Sequence, residues 1–260
     1  MISQEKLDIS AVIITYNEEK NIRRCLESLT WTREIVVVDS GSADATVRIA
    51  REFTDRVISH PFEGYVRQKN FALDQAALDW VLSVDADEVV TPELLARIRA
   101  VWPDQRERYD GFTVNRLSRF SGKWIRHCGW YPDRKLRLFR RSKGRWTGEE
   151  LHEKVRLDGR TMDLGADLRH YTYQDLSENV EKIQAYSTIF AQAQYRLGRR
   201  ATRWDLLAHP AAKFLKSYVL RRGFLDGRHG LILSLTAAFY VFLKYAKLWE
   251  LQKTTDERPS

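Results

Sequence analysis

Three carboxylates stand together immediately after a short apolar segment. Residues 80–84 predict a buried strand, and Asp85, Asp87 and Glu88 follow it with only Ala86 between the first two. Because open α/β sheets bind ligands at the carboxyl ends of their strands, these side chains would face a ligand. Such carboxylates suit Mg²⁺ or Mn²⁺, which are commonly held by one or two carboxylates together with substrate phosphates. A solvated acidic turn has the same pattern, so the neighbouring segments decide between the two.

Strand and helix patterns alternate before this acidic turn and bring further polar residues to the same edge. Residues 9–15 and 34–39 are apolar enough to be buried on both faces, as parallel strands are, and they end at Thr15 and Asp39. Helical periodicity separates them, with short loops, which predicts an α/β fold with a mostly parallel, doubly wound sheet. The ends of three strands, at Thr15, Asp39 and Asp85, would then share one edge. Asp39 there could bind a nucleotide or cap the helix that follows it.

Three segments resemble, in order, the signature of family 2 nucleotide-sugar glycosyltransferases with the GT-A fold: AVIITYNE at 11–18, VVDSGSADAT at 37–46 and VDADE at 84–88. The resemblance implies a Rossmann-like, mostly parallel sheet flanked by helices, a UDP-sugar as donor substrate, and Mg²⁺ or Mn²⁺ as cofactor. It also implies a metal-binding pair, Asp85 and Asp87, of which Asp85 also counts among the donor-site residues. The remaining residues that it assigns to the nucleotide site are Thr15, Asn17, Glu18, Asp39, Gln68 and Lys69.

A basic segment follows the acidic turn. Residues 115–145 contain eleven Lys and Arg but one acid, Asp133, with aromatic residues interleaved. This composition fits either nucleic acid or an anionic sugar-phosphate or phospholipid acceptor, and the acidic motif upstream favours the second. Arg134 and Arg137 are the candidates for contact with a diphosphate or an acceptor phosphate, because guanidinium groups match oxyanion geometry. A solvated basic face is the alternative for either arginine.

The candidate catalytic base lies just beyond this basic segment, where acids and a histidine replace the arginines. The segment resembles the lipopolysaccharide-core glucosyltransferase branch of the family, in which a His-Glu pair follows Trp-x-Gly. That resemblance implies Glu153 as the base and His152 as its orienting partner, while Glu149 and Glu150 remain rivals. Processive polysaccharide synthases carry a Gln-x-x-Arg-Trp box, but Ser142 stands at its first position, which favours transfer of a single sugar.

The last third of the chain predicts basic amphipathic helices. From residue 196 onward there are thirteen Lys and Arg against five acids, with many aromatic residues. This pattern is typical of elements that lie on an anionic membrane surface, although the helices could equally pack on the catalytic domain or form a homo-oligomer. The longest apolar run, residues 231–243, is too short to span a bilayer. We therefore predict a GT-A domain at 1–175 and a helical C-terminal region at 176–260.

Composition predicts a globular protein of the cytoplasm. The chain has 260 residues, of which 43% are hydrophobic and 30% charged, with a net charge of +8. Its cysteines, Cys25 and Cys128, form no metal or disulfide pattern, and the N-terminus lacks the layout of a signal peptide. We expect a cytoplasmic protein, peripheral on the inner face of the cytoplasmic membrane.

The predicted function is inverting, metal-dependent transfer of a single sugar. By resemblance, the donor would be UDP-glucose and the acceptor a lipid A–core or other lipid-linked molecule. Two alternatives remain: a family 2 transferase that uses a polyprenyl-phosphate acceptor, and a basic protein that binds nucleic acid, which the acidic motif disfavours. A steep dependence of nucleic-acid binding on salt would distinguish the latter. The sequence does not specify the donor sugar, the acceptor linkage or the oligomeric state.

Overall fold

The computed structural model describes residues 5–148, 153–173 and 175–256. The chain divides into two compact units. The first, called the sheet unit, contains the residues up to Arg116 together with Asp133–Tyr171. The second, called the helical unit, contains Leu117–Pro132 and the residues from Thr172 onward. The helical unit therefore includes Leu117–Pro132, which the predicted boundary at residue 175 assigns to the GT-A domain.

Four parallel strands form the N-terminal half of the sheet, in the order β3-β2-β1-β4. They are β1 (Leu7–Thr15), β2 (Thr32–Asp39), β3 (Val57–Ser59) and β4 (Trp80–Asp85). Thr15 pairs in register with Asp39, and Ile14 with Asp85. The predicted meeting of three strand ends at one edge of the sheet is therefore confirmed.

Helices cover this half of the sheet. They are α1 (Ile22–Glu27), α2 (Thr46–Ala50), α3 (Tyr65–Gln75) and α4 (Pro92–Gln105). Side chains of β1 alternate between two apolar clusters: Ala11 and Ile13 belong to the first, whereas Val12 belongs to the second, which also includes Leu73 of α3. Burial on both faces explains why these strands are nearly continuous apolar runs.

The rest of the sheet is antiparallel. Beyond β4 the order continues β8-β6-β11-β5, and a short β7 pairs with β6. These strands are β5 (Glu88–Val90), β6 (Gly111–Phe120), β7 (Lys123–Trp124), β8 (Asp133–Arg140) and β11 (Thr161–Tyr173), and a separate pair is formed by β9 (Gly144–Thr147) and β10 (Lys154–Leu157). The predicted α/β class with a GT-A type of sheet is confirmed.

The helical unit confirms the predicted C-terminal helices. Its main helices are α5 (Leu176–Arg196), α6 (Arg203–Leu215) and α7 (Arg228–Asp256). A π-helical turn, Lys216–Leu220, extends α6, and a 3₁₀ turn, Gly223–Asp226, leads into α7. Helix α7 packs against both α5 and α6.

One expectation about these helices was wrong. Helix α7 has 29 residues, and Arg228–Lys253 is long and apolar enough to cross a membrane, the one helix of this kind in the described part of the chain. The 13-residue estimate counted only an uninterrupted apolar run, whereas a helix also tolerates the lysines that follow that run. Length and composition do not place α7 in a membrane, since a core helix of a soluble protein passes the same test.

Candidate active site at the strand ends

The acidic turn that links β4 to β5 is compensated by cations of the protein itself. The Oδ2 atom of Asp85 lies 2.7 Å from Arg137 Nη2, and its Oδ1 atom lies 2.9 Å from Lys69 Nζ. Burial alone would raise the pKa of Asp85, but the charges of Arg137 and Lys69 more than offset burial and hold this pKa well below its usual range. The premise that these acids need a bound metal to be held together was therefore wrong.

Glu88 holds the turn and its arginine in place. It is fully buried, and its Oε1 atom lies 2.5 Å from Arg137 Nη2, while its Oε2 atom accepts a hydrogen bond of 3.0 Å from the backbone N–H of Asp85. A second guanidinium, that of Arg116, lies 3.9 Å from Glu88 and 2.8 Å from Asp133. Arg137 thus sits between two carboxylates, and its contact with a phosphate remains a prediction.

Asp87 faces a histidine that the sequence did not single out. Strand β11 pairs antiparallel with β5, His170 opposite Glu88, and this register brings His170 Nε2 to 3.1 Å from Asp87 Oδ2. Burial raises the pKa of Asp87, but the charge and hydrogen bond of His170 outweigh burial and lower it. Among the described residues, no three His, Cys, Asp or Glu side chains are grouped to hold a metal on their own. Asp87 and His170 supply two ligands of different chemistry.

Asp39 shapes the loop after β2. Its Oδ2 atom accepts hydrogen bonds of 2.9 Å from the backbone N–H groups of Gly41 and Ser42, and its Oδ1 atom accepts one of 2.5 Å from Ser42 Oγ. The capping alternative therefore describes what Asp39 does here, although it caps a turn and not the helix α2 itself. Its contact with a nucleotide stays a prediction.

The segment after β1 is fastened to that same loop. Asn17 adopts the left-handed backbone conformation (φ 53°), donates its N–H to Ser42 Oγ at 2.8 Å and accepts from Ala43 N–H at 2.9 Å. The N–H of Glu18 donates to Thr46 Oγ1 at 2.8 Å. These bonds join the two predicted nucleotide-binding segments into one rigid rim.

Helix α3 brings three consecutive predicted residues to the edge of the sheet. Gln68 is fully buried and donates to Ser40 Oγ at 3.0 Å, so it ties α3 to the loop after β2. Asn70 exchanges two hydrogen bonds with the backbone of Trp146, of 2.9 and 3.0 Å, and so ties α3 to β9. Lys69 lies between these two anchors.

Lys69 connects the acidic turn to the predicted base. Its Nζ atom lies 3.1 Å from Glu153 Oε1, besides the contact with Asp85, and 4.3 Å from the centre of the Trp146 ring. Thus Glu153, directly before β10, belongs to the same charged cluster as Asp85. Its predicted partner His152 and its rivals Glu149 and Glu150 lie outside the described residues.

Two other predicted residues have different surroundings. The hydroxyl Oγ1 of Thr15 is buried and has no hydrogen-bond partner within the described residues. Arg134 is mostly exposed and pairs with Asp163 at 3.0 Å. Because residues three apart on a strand point to opposite faces, Arg134 does not join Arg137 in the acidic cluster.

The comparison with protein families agrees with this geometry. The model of the family Glycosyl transferase family 2 matches residues 10–156, which is more than half of the chain. The chain belongs to glycosyl transferase family 2.

Curated relatives resemble this family 2 glycosyltransferase over almost its whole length. The lipopolysaccharide core biosynthesis glycosyltransferase LpsC of Rhizobium meliloti is 33% identical over 257 residues, covering 94% of this chain and 93% of LpsC. The uncharacterized glycosyltransferase RT0209 of Rickettsia typhi is 32% identical, covering 94% and 87%. Among solved structures, S. aureus TarS 1–349 with UDP-GlcNAc has a TM-score of 0.46 and 15% identity, covering 96% and 92%. That likeness is too distant to bear on function.

The matched family region does not contain every side chain of the cluster. It includes Asp39, Asp87 and Glu153 but ends before His170. No local signal marks His170 in the sequence, because its position beside Asp87 depends on pairing between strands distant in the chain. In this glycosyltransferase the strand ends thus combine a carboxylate–imidazole pair with a second carboxylate, Glu153, held by Lys69.

Proposed function

We propose that this glycosyltransferase moves a single sugar, with inversion, from a nucleoside diphosphate to a hydroxyl of a lipopolysaccharide core or another lipid-linked acceptor. The observation that carries the proposal is the link Asp85–Lys69–Glu153 at the carboxyl ends of the parallel strands. It holds a candidate base beside the edge where such sheets bind nucleotides. The similarity to LpsC supports the acceptor class, and UDP-glucose is the first donor to test.

The two carboxylate groups have different tasks in this proposal. Glu153 accepts the proton of the acceptor hydroxyl as the oxygen attacks the anomeric carbon. The attack comes from the face opposite the departing diphosphate, which inverts the configuration. Lys69 keeps Glu153 ionised and oriented, because an ammonium group 3.1 Å away favours the carboxylate form.

The residues present fit a divalent cation. Asp87 and His170 offer one oxygen and one nitrogen ligand, and Mg²⁺ or Mn²⁺ normally completes such a site with substrate phosphates and water. When bound there, the cation supplies positive charge against the developing charge of the diphosphate leaving group. Asp85, predicted as the other ligand, has both oxygens in ion pairs with Lys69 and Arg137, so Asp87 carries the larger share in this proposal.

Replacing Asp87 with asparagine is expected to abolish sugar transfer and to weaken Mn²⁺ binding in the presence of UDP. The physical reason is the loss of the anionic ligand, which a neutral amide does not replace. Binding of Mn²⁺ is measured by electron paramagnetic resonance and transfer by release of UDP. Asp163→Asn is the matched control, because Asp163 pairs with the mostly exposed Arg134. Equal turnover of Asp87→Asn and the unaltered enzyme in EDTA-treated buffer would contradict the metal role.

Replacing Asp39 with alanine is expected to weaken UDP binding more than it lowers the turnover of bound donor. The side chain ends β2 at the nucleotide edge and also orders the loop through Ser42. Ser42→Ala serves as the control, because it removes one loop contact and leaves the Asp39 carboxylate. Calorimetry with UDP distinguishes the two roles: an affinity unchanged in Asp39→Ala restricts this residue to capping.

The donor and the acceptor class are tested directly. The purified full chain is mixed with several nucleotide sugars and Mn²⁺, and released nucleoside diphosphate is measured with a lipid A–core acceptor or a polyprenyl phosphate. We expect release from one UDP-sugar to rise sharply with the lipid A–core acceptor. If no nucleotide sugar is consumed with either acceptor, the proposed reaction is wrong.

The location proposed with this reaction is the cytoplasmic face of the membrane. An acceptor with a lipid anchor remains in the bilayer, so the enzyme must reach that surface. The excess of basic over acidic residues in the C-terminal third supports attraction to anionic lipids.

A further inference from the structure

The turn between α6 and α7 exposes a continuous set of apolar side chains. We call this turn, residues 215–225, the elbow. Leu220 is 75% exposed and Leu225 54% exposed, although large apolar side chains are usually covered. The other exposed apolar side chains of the elbow are Leu215, Val219 and Phe224.

The surroundings of the elbow are positively charged. Residues 206–249 contain a single acid, Asp226, and this acid is buried. Its carboxylate accepts from the backbone N–H of His127 at 2.8 Å and lies 3.8 Å from Lys123 Nζ, so it adds no negative charge to the surface. The exposed cations on and beside the elbow are Lys213, Lys216, Arg221, Arg222 and Arg228.

The exposure of the elbow is built into its packing. Gly223 and Gly230 approach so closely that a Cβ atom on Gly230 would lie 1.8 Å from the carbonyl oxygen of Gly223. Cys128 N–H donates to the carbonyl of Arg221 at 3.0 Å, and Lys123 donates to that of Asp226 at 2.8 Å. Because the backbone is fastened from below by these contacts, the apolar side chains cannot fold inward.

The far half of α7 is committed to a polar neighbour. Lys247 Nζ donates to the backbone carbonyl and Oε1 of Gln184, to Ser187 Oγ and to Thr188 Oγ1, all at 2.7–2.8 Å. These acceptors belong to α5, whose first turns also carry Glu178 and Lys182. Hydrocarbon cannot surround such a charged helix pair, since a bilayer core leaves charged groups unsolvated. The length of α7 is therefore not used to cross a bilayer.

We propose that the elbow inserts its apolar side chains into the headgroup–acyl boundary of an anionic lipid bilayer, while the rest of α7 stays outside. The inference rests on the proposed function, because a lipid-linked acceptor requires the enzyme at that surface. Charge complementarity identifies the partner: a ring of cations around an apolar tip matches anionic headgroups above acyl chains. The elbow is thus an interfacial anchor and α7 is not a membrane span.

The first test measures co-sedimentation of the full chain with vesicles of phosphatidylglycerol and phosphatidylcholine. We expect the double variant Leu220→Glu/Leu225→Glu to lose binding by about tenfold or more, because two charges would enter the apolar boundary. The matched control is Ile189→Glu/Leu197→Glu, which changes the net charge equally at exposed apolar positions of α5 and of its C-terminal cap. Equal losses in both variants, or no binding by the unaltered protein at low salt, would overturn the proposal.

The second test concerns charge. Arg221→Glu/Arg228→Glu is expected to weaken binding to these vesicles and to flatten its salt dependence, because attraction to anionic lipids is screened by salt. Arg51→Glu/Arg67→Glu makes the same change in charge at exposed positions of the sheet unit and is expected to bind nearly as the unaltered protein does. If the sheet-unit variant loses as much binding as the elbow variant, the elbow is not the contact.

Two further measurements separate the other occupants. Alkaline carbonate is expected to release the protein from membranes, and its retention would show that α7 spans the bilayer. Light scattering tests whether Leu220→Glu/Leu225→Glu breaks a dimer while vesicle binding persists, which would make the elbow a subunit contact and overturn the proposal. Release of UDP with a detergent-solubilised acceptor is expected to stay near normal in this variant, so failure of the anchor is distinguishable from failure of the proposed reaction.

Discussion

Replacing Glu153 with glutamine is expected to lower the turnover of sugar transfer by about 10²–10⁴-fold, the range for loss of a general base. Glutamine keeps the size of the side chain and an oxygen that accepts a hydrogen bond from Lys69, but it does not take a proton. The affinity for UDP should change little, because Glu153 reaches the acidic turn only through Lys69. A loss of turnover without a loss of donor binding is the signature of this role.

The control for this prediction is the set of neighbouring acids. Glu149→Gln and Glu150→Gln are expected to retain most of the activity, measured as UDP release with a saturating donor. Their side chains lie outside the described residues, so the comparison rests on sequence neighbours of the same chemistry. Near-normal turnover in Glu153→Gln, with collapse in one of the neighbours, would move the base to that residue and leave the donor site unchanged.

The edge of the sheet could be predicted because its strands obey local rules. The strands that end at Thr15, Asp39 and Asp85 are buried on both faces, so each is a continuous apolar run with a polar end. Parallel connection through helices then places the ends side by side, as the register confirms. Burial of the strands thus encodes the position of the site.

The partners of the acids could not be predicted in the same way. His170 reaches Asp87 only because β11 returns antiparallel beside β5, and nothing near either residue specifies that register. The antiparallel strands also carry many charged side chains, so their apolar pattern is weak. For Arg134 and Arg137 strand alternation gave usable information: side chains three residues apart point to opposite faces, and only Arg137 is buried.

The compensated acids also limit what the acidic motif alone implies. Clustered carboxylates were expected to need a bound cation, yet Lys69, Arg137 and His170 face Asp85 and Asp87 within the chain. The protein can therefore keep this turn folded before any ligand binds. The proposed metal role then depends on catalysis and donor binding and not on the folding of the turn.

Replacing Arg137 with methionine is expected to destabilise the sheet unit by about 3–5 kcal/mol, because it leaves the buried carboxylates of Asp85 and Glu88 without their shared cation. The free energy of unfolding is measured by urea denaturation. Arg48→Met is the matched control: Arg48 pairs with Glu52 on the surface, and the loss of such a pair costs at most about 1 kcal/mol.

A second variant separates loss of charge compensation from loss of packing. In Arg137→Met/Glu88→Gln the buried carboxylate of Glu88 is also removed, so fewer uncompensated charges remain and part of the lost stability should return. Glutamine keeps an oxygen able to accept the backbone N–H of Asp85. If the double variant is less stable than Arg137→Met, or if Arg137→Met unfolds no more easily than Arg48→Met, packing and not the buried ion pairs holds the turn.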